Sequence, residues 1–368
     1  MSREIRIFVP RLIDATNTNA QNLNAKALLS RFTQQTARWI TTHYHSPDAA
    51  ATAASQVEVT KLCRTRLWHS HMLLKYQQPI DAIFYPGMEW FDAGGLEIRY
   101  RTGRRVPVIG TLEGLAGDEE RERQLEKLIG HKLHCHRIPR NIVERCDRIF
   151  GCCDHIIAIT PMLALIAREL YGDKVSILPL GIDTNVFNYR PRQSSRRMRV
   201  ITAATMTERK RPSVVLEAAR RFPSVDFAWY GAGPLLDQMR QEANGIGNLS
   251  FCGNASPETL GKEYSDSDIF VLPSLSEGAP KALQESAACG LPRIAFGFYE
   301  PIITDGVDGF VVWDDEELFA RLGHLISACA IAREMGAKAA ASVAEQDWSV
   351  IAPRWENEIL LRVEQLRR

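Results

Sequence analysis

The chain has 368 residues, 45% of them hydrophobic, which is enough for two separate hydrophobic cores. Its 45 basic and 44 acidic residues leave a formal net charge of +1, which argues against nucleic acid or another polyanion as a partner. The 8 cysteines form no paired disulfide framework, and no apolar run reaches the roughly 18 residues that a membrane span needs. We therefore expect a cytoplasmic protein, with peripheral contact at the inner face of the membrane as an alternative.

Apolar runs of strand length alternate with helical patterns through the first half of the chain. They predict strands at residues 5–9, 82–85, 106–111, 156–160 and 175–178 and one long charged helix over residues 116–150. This alternation indicates a parallel sheet covered on both faces. The loop after the first strand carries polar side chains that suit a hydroxyl-rich acceptor, although such loops are also ordinary turns. These residues are Asn17, Thr18, Asn19 and Asn22.

Two clusters in the first half have both a structural and a functional interpretation. Basic residues crowd between Arg99 and Arg148, interleaved with acids. A solvated helical surface explains them most simply, and an anionic acceptor or membrane leaflet is the alternative. The histidines and cysteines of residues 131–153 lack the paired Cys-x-x-Cys spacing of zinc sites, so no metal is predicted there.

Residues 188–197 have the composition of a linker, and a second alternating pattern follows them. Its predicted strands span residues 199–203, 226–230, 249–252, 269–272, 291–296 and 310–313, and its predicted helices span residues 213–221, 235–243 and 259–265. In doubly wound domains ligands bind beyond the carboxyl ends of the strands. We therefore expect the loops after the first four of these strands to converge.

The first two of those loops carry groups suited to a nucleoside diphosphate. Arg209 and Lys210 supply cations for phosphate oxygens. The segment Gly231-Ala232-Gly233-Pro234 lets a ligand approach the backbone closely, or it simply makes a turn. A lone Gly-x-Gly is weak evidence for binding.

The segment 269–292 predicts a strand, a turn that binds anions, and a helix that begins within residues 278–281. Pro280 suits the first helical position, where its missing amide hydrogen costs nothing. Glu277 then lies at the tip of the strand, and Lys281 and Glu285 share a face of the helix. Carboxylates at these places can accept pairs of sugar hydroxyls, although a Lys–Glu pair at this spacing is usually a solvated surface pair.

These motifs, in this order, resemble the donor domain of the retaining family 4 glycosyltransferases. The resemblance covers residues 199–313 and extends to the interdomain hinge at Gly181-Ile182-Asp183 and the last helix at Asp347-Trp348-Ser349. It rests on Lys210 with Leu216-Glu217-Ala218, Tyr230-Gly231-Ala232-Gly233-Pro234, Phe251-Cys252-Gly253, Asp268-Ile269-Phe270-Val271-Leu272-Pro273-Ser274, Glu277-Gly278, Glu285, Gly290-Leu291-Pro292 and Asp308-Gly309-Phe310.

The resemblance implies an α/β protein of the GT-B class, with two Rossmann-like doubly wound domains facing across a cleft. An acceptor domain would span residues 1–187 and a donor domain residues 198–345. Residues 181–197 would form the hinge, and the helix 346–368 would cross back to the first domain.

The resemblance also implies roles for individual residues. Lys210 and Arg209 would neutralise the donor diphosphate together with the backbone of the helix start, so no metal and no cofactor would be needed. Glu285 would hold the ribose hydroxyls and Glu277 the transferred sugar. The donor-binding backbone would comprise Gly231, Gly233, Gly253, Gly278, Ala279, Pro280, Lys281 and Ala282.

Two positions depart from the family pattern. Thr205 stands where relatives commonly carry a second diphosphate-binding arginine, so Arg209 or Arg211 must supply that charge. Glu113 stands where relatives often place a histidine. A carboxylate there can bind a sugar hydroxyl or steady positive charge at the anomeric carbon, and it can equally be a helix cap or an ion-pair partner.

The sequence thus predicts a retaining glycosyltransferase that moves a sugar from a nucleotide diphosphate sugar to a hydroxyl of a glycan or lipid-linked acceptor. Retention would follow front-face attack, in which a leaving phosphate oxygen takes the acceptor proton. A sugar-nucleotide epimerase of the same architecture and a non-catalytic nucleotide-sugar-binding subunit are the alternatives.

Overall fold

The computed structural model describes residues 4–12, 20–34, 37–43, 57–61, 80–86, 106–190 and 197–367. The chain divides into two compact units. The first unit comprises residues 1–121, 137–181 and 348–368, and the second comprises residues 122–136 and 182–347.

The described part of the first half contains both strands and helices, as the sequence predicts. In chain order they are β1 (Ile5–Leu12), α1 (Ala20–Leu29), β2 (Ala37–His43), β3 (Val57–Lys61), β4 (Ala82–Tyr85), β5 (Val108–Leu112), β6 (Ala116–Gly117), α2 (Glu119–Ile129), β7 (His136–Arg137), α3 (Arg140–Cys152), β8 (His155–Ala158), α4 (Pro161–Tyr171) and β9 (Val175–Ile177). Seven of these strands form a parallel sheet in the order β3-β2-β1-β4-β5-β8-β9. Its central strands β4, β5 and β8 are buried along their whole length, which explains their continuous apolar runs.

The second half repeats this architecture. Its elements are β10 (Arg199–Ala203), a 3-10 turn (Glu208–Lys210), α5 (Pro212–Arg221), β11 (Asp226–Tyr230), α6 (Leu236–Glu242), β12 (Leu249–Gly253), α7 (Pro257–Ser265), β13 (Ile269–Leu272), α8 (Lys281–Ala288), β14 (Arg293–Phe296), β15 (Gly309–Val312), α9 (Asp315–Ser327), α10 (Cys329–Ser342) and α11 (Trp348–Arg367). The strands form a six-stranded parallel sheet in the order β12-β11-β10-β13-β14-β15. The strand order reverses between β10 and β13, which is where ligands bind in such sheets.

The last helix, α11, belongs to the first unit although it follows the second in sequence. The indole Nε1 of Trp355 donates to the Pro179 carbonyl at 2.8 Å. The buried carboxylate of Glu356 accepts hydrogen bonds from the amides of Thr33 at 2.9 Å and Gln34 at 3.0 Å. A buried carboxylate needs such partners, so these bonds fix the helix against the unit.

The prediction of one long helix over residues 116–150 is wrong. The segment forms two helices, α2 and α3, separated by residues 130–139. Gly130 ends the first helix with a backbone φ of +79°, a conformation that favours glycine. The buried Glu122 carboxylate then accepts a hydrogen bond from the Cys135 amide at 2.8 Å, which folds the connecting segment back onto α2.

The two units are not continuous in sequence. The first unit contains residues 137–181 and regains the chain at residue 348, and residues 122–136 group with the second unit. The reason lies in side-chain packing, because His134 meets Phe298 with ring centroids 4.9 Å apart. His131 likewise meets Trp313 at 5.3 Å. These contacts follow from tertiary structure and leave no local signal in the sequence.

A buried ion pair holds the loop between β14 and β15. Arg293 is fully buried, and its guanidinium lies 2.8 Å from the carboxylate of Asp308. Arg293 also donates to the Ile302 carbonyl at 3.1 Å, and Asp308 accepts from the Thr304 amide at 2.8 Å. Because both charges are paired and hydrogen-bonded to the loop backbone, they hold residues 297–308 in one conformation at the carboxyl edge of the sheet.

Candidate functional site

The loops at the carboxyl ends of β10, β11, β12 and β13 meet in the second unit, as the sequence predicts. The Ala204 amide donates to the Tyr230 carbonyl at 2.9 Å, and the Gly231 amide donates to the Gly253 carbonyl at 2.7 Å. The Leu275 amide donates to the carbonyl of Arg209 at 2.9 Å. The loop with the predicted cations is therefore bonded directly to the loop that carries Glu277.

Two cations and one carboxylate form the centre of this site. The Lys210 ammonium forms an ion pair with Glu277 Oε1, and the Arg209 guanidinium lies 3.4 Å from Glu277 Oε2. Arg209 also donates to the Ser276 carbonyl. The side chains of Lys210 and Glu277 are 13% and 10% exposed. The cluster carries one positive charge in excess, which suits an anionic ligand.

The surroundings of Lys210 favour loss of the proton from its ammonium group. Burial lowers the pKa of the Lys210 ammonium, the Glu277 carboxylate opposes that effect, and the Arg209 guanidinium adds to it. A second negative charge beside Lys210 would compensate its desolvation. The free-energy cost of burying this lysine therefore favours binding of an anion.

Helix α8 begins directly beside this cluster in sequence. Its first residue is Lys281, so Pro280 precedes the helix instead of occupying its first position as predicted. Among the described residues no side chain caps this helix start, which leaves the partial positive charge of its first turn for a ligand. Of the predicted backbone, Gly278 and Ala279 lie in the loop before the helix, and Ala282 lies in its first turn.

Glu285 lies one turn further along α8. Part of its surface is accessible, yet the surrounding protein desolvates the carboxyl group and raises its pKa, while Lys281 works against that shift. The buried hydroxyl of Tyr264 lies in the same region, since the charge of Glu285 contributes to the raised pKa of that tyrosine. A carboxylate poorly hydrated in this way gains from ligand hydroxyls that donate hydrogen bonds to it.

The glycines after β11 are required because their loop packs closely against the loop after β10. A Cβ atom on Gly231 would collide with the Ala204 carbonyl oxygen, and one on Gly233 would lie 2.8 Å from the backbone carbon of Met206. Gly253, by contrast, has a φ of +72° and open space around it. Contact between a ligand and these glycines stays a prediction.

Other predicted residues lie elsewhere or outside the described residues. Glu113 belongs to the first unit, where it follows β5 and is half-buried. Asn17, Thr18 and Asn19 lie outside the described residues. Asn22 lies in α1, but the description does not extend to its side chain. The structure thus assembles the predicted donor residues and leaves the predicted acceptor residues as a separate hypothesis.

Tyr299 is a residue of this site that the sequence analysis missed. It is 2% exposed, and its hydroxyl has no hydrogen-bond partner within the described part of the chain. Burial raises its pKa well above the ordinary value, the Glu277 carboxylate raises it further, and Arg209 opposes the shift. Its position after β14, at the carboxyl edge of the sheet, is the only sequence signal for it.

Among the described residues, no group of three or more His, Cys, Asp and Glu side chains is placed to hold a metal ion. No helix in the same part of the chain is both long and apolar enough to cross a membrane. Metal independence and cellular location stay predictions.

The second half of the chain is similar to a known protein family. Residues 197–328 match the family model described as Glycosyl transferases group 1. This part of the chain is therefore similar to the glycosyl transferases group 1 family. The amylovoran biosynthesis glycosyltransferase AmsK of Erwinia amylovora is 31% identical over 146 residues, which cover 36% of this chain and 36% of AmsK. The alpha-galactosylglucosyldiacylglycerol synthase of Streptococcus pneumoniae is 26% identical over 159 residues, which cover 38% of this chain and 42% of that enzyme.

The chain thus matches about two fifths of the length of these curated relatives. Its fold has wider support. The crystal structure of Anabaena Alr3699/HepE in complex with UDP and glucose is similar with a TM-score of 0.75 and 12% sequence identity, over 97% of this chain and 99% of that one. The predicted GT-B class, with two Rossmann-like domains, is confirmed.

Proposed function

We propose that this protein is a retaining glycosyltransferase that moves a sugar from a nucleotide diphosphate sugar to a hydroxyl of a glycan or lipid-linked acceptor. The observation that carries the proposal is the cluster of Lys210, Arg209 and Glu277 at the switch point of the sheet, within the residues that match the Glycosyl transferases group 1 model. Cations suited to a diphosphate and a carboxylate suited to sugar hydroxyls are joined there in one ion pair.

The donor would bind through charge and hydroxyl contacts that need no metal ion. Lys210 and Arg209 neutralise the diphosphate, assisted by the backbone at the start of α8. Glu285 accepts the ribose hydroxyls. The solved relative Alr3699/HepE was crystallised with UDP and glucose, which supports a nucleotide sugar as the donor class.

Transfer with retention would use the donor's own phosphate. The bond between the anomeric carbon and the diphosphate oxygen breaks, and both of its electrons leave with the phosphate. The acceptor hydroxyl oxygen then bonds to the same face of the anomeric carbon, and its proton passes to the departing phosphate oxygen. Glu277 holds the sugar hydroxyls, and Lys210 and Arg209 stabilise the charge that grows on the leaving group.

The first unit would supply the acceptor site. We assign Glu113 a contact to the transferred sugar and Asn17, Thr18, Asn19 and Asn22 contacts to acceptor hydroxyls. The two curated relatives are named for amylovoran biosynthesis and for the synthesis of alpha-galactosylglucosyldiacylglycerol, which supports a glycan or a lipid-linked acceptor as the class.

A panel of UDP-, GDP- and ADP-sugars tests the proposal. Slow hydrolysis or transfer of one donor supports it, and inversion of the sugar without release would instead identify an epimerase. Binding without turnover would identify a non-catalytic subunit. Activity should persist in excess EDTA, and complete loss that added Mg²⁺ restores would overturn the metal-free mechanism.

Glu277→Gln separates chemistry from binding. The variant should lose most of the turnover and still bind the nucleoside diphosphate, because Lys210 and Arg209 remain. Glu334→Gln, which makes the same change at an exposed position on α10, is the matched control and should keep the wild-type turnover. Equal turnover in Glu277→Gln and the wild type would remove Glu277 from the mechanism.

A further inference from the structure

The second unit contains an open cavity of about 580 Å³ beside the cation cluster. Two of its lining residues are neighbours of that cluster in the chain. Leu275 lies two residues before Glu277, and Arg211 directly follows Lys210. The volume falls within the roughly 300–1,000 Å³ that small-molecule sites usually have. Among the residues predicted to bind the donor, Arg211, the alternative to Arg209 for the second diphosphate cation, is the one that lines it.

An aromatic platform forms one side of the cavity. Trp313 is 44% exposed, although most large apolar side chains of the unit are buried. Its ring lies close to Gly297, where an added Cβ atom would be 2.6 Å from the indole. Phe298 meets it edge-on at 5.9 Å, and His131 does so at 5.3 Å. These contacts hold the indole in one orientation while part of it stays exposed.

Paired charges stand around this platform. The Arg211 guanidinium lies 2.6 Å from the carboxylate of Asp315, and both residues line the cavity. The Lys132 ammonium lies 5.5 Å from the centre of the Phe298 ring, and His134 meets the same ring at 4.9 Å. An adjacent guanidinium and carboxylate can donate to and accept from the same hydroxyl group.

We propose that this cavity is a saccharide subsite in which a sugar ring of the acceptor stacks on Trp313 and bonds its hydroxyls to Arg211 and Asp315. The face of a pyranose ring carries C–H groups and is apolar, whereas its edge carries hydroxyls, and the cavity offers surfaces for both. An acyl chain has no polar group that could form a hydrogen bond with the Arg211–Asp315 ion pair. A phosphate would meet the carboxylates of Asp314, Asp315 and Glu316 on the same wall.

The inference rests on the proposed function and narrows it, because it makes the acceptor a glycan instead of a simple lipid. The cavity also lies beside the place proposed for the transferred sugar, since Leu275 and Arg211 adjoin Glu277 and Lys210 in the chain. A glycan held there would contact residues of the second unit.

Binding of maltotriose, cellotriose and mannotriose to the full-length protein, followed by calorimetry and tryptophan fluorescence, tests the subsite. We expect at least one of them to bind the wild type. Trp313→Ala should weaken this binding by about tenfold or more, and Trp313→Phe should retain most of it. Ile331→Ala, which truncates a similarly exposed apolar side chain on α10, is the matched control and should bind as the wild type does.

Each outcome decides between the alternatives. No binding of any trisaccharide, or equal binding by Trp313→Ala and the wild type, overturns the subsite. Binding of dodecyldimethylamine oxide micelles or pyrophosphate that depends on Trp313, without trisaccharide binding, would assign the cavity to an acyl chain or an anion and also overturn it. A thermal shift with UDP, GDP or ADP in Trp313→Ala tests the donor site separately, so failure of the proposed function is distinguishable.

Discussion

Lys210 and Glu277 form a buried ion pair in the second unit. The sequence analysis assigned them to different parts of the donor, the lysine to the diphosphate and the glutamate to the sugar. The structure shows that the two residues are ion-pair partners. A bound diphosphate would therefore be a second anion beside Lys210, and Glu277 helps to fix the position of the lysine.

We expect the stabilities of Lys210 and Glu277 variants to be coupled. Lys210→Met should lower the free energy of unfolding by about 2–4 kcal/mol, because it leaves a poorly hydrated carboxylate with only the more distant Arg209. The double variant Lys210→Met/Glu277→Gln should be more stable than that single variant. Urea unfolding of the four proteins measures the coupling, and additive effects would show that the pair is not energetically linked.

Donor binding should be strongest near neutral pH. As pH falls, Glu285 should lose its charge earlier than an ordinary glutamate, because burial raises its pKa. As pH rises, Lys210 should lose its charge earlier than an ordinary lysine, because burial lowers its pKa. Thermal shifts with the bound nucleoside diphosphate between about pH 5 and pH 9.5 measure both limbs.

Two variants test whether Glu285 causes the acid limb of this pH profile and Lys210 the alkaline limb. Glu285→Gln should weaken binding at neutral pH and flatten the acid limb, and Lys210→Arg should flatten the alkaline limb because arginine stays protonated. Glu285→Ala should abolish stabilisation by the nucleotide. An unchanged thermal shift in Glu285→Ala would remove the ribose assignment.

The first unit should lose stability in mild acid through His155. Burial, assisted by Arg362 and opposed by Glu358, lowers the pKa of its imidazole from 6.5 to about 4. The unfolded chain therefore binds more protons than the folded chain between these values, so stability falls as pH drops from 6.5 toward 4. The loss is at most about 3 kcal/mol.

Urea midpoints at several pH values measure this loss, and His155→Gln is the control. The variant keeps a side chain that can bond to the Ser176 hydroxyl, which lies 2.9 Å from the His155 ring nitrogen. Its stability should depend less on pH in that window. The same slope in both proteins would assign the acid sensitivity to other groups.

Two tyrosines should respond in opposite directions to the loss of their hydroxyl. Tyr299→Phe should leave stability unchanged or raise it by about 1 kcal/mol, because the buried hydroxyl is unsatisfied. Tyr171→Phe should lower stability by about 1–3 kcal/mol, because its hydroxyl donates to Asp147 at 2.9 Å. Thermal unfolding compares them, and a clear loss in Tyr299→Phe would reveal a partner for its hydroxyl.

The sequence predicted the strands of the second unit more closely than the elements of the first. The strands 199–203, 226–230 and 269–272 were predicted with the bounds that the structure shows. They are short, apolar and bounded by turn residues, so local composition determines them. β2 (Ala37–His43) was missed, because its Arg and Thr residues weaken the apolar pattern and its pairing with β1 is a long-range contact.

The sequence by itself determined the alternating architecture and the residue types of the donor site. Periodicity and turn chemistry act over a few residues, and the family motifs preserve both order and spacing. Lys210, Glu277 and Glu285 could therefore be named from the sequence alone.

Only the tertiary structure decided how these groups interact. The pairing of Lys210 with Glu277, the unsatisfied hydroxyl of Tyr299 and the platform of Trp313 on Gly297 join residues that are distant in sequence. The same holds for residues 122–136, which group with the second unit although they precede it by many residues. Burial and charge pairing depend on the whole packed unit, so no local pattern specifies them.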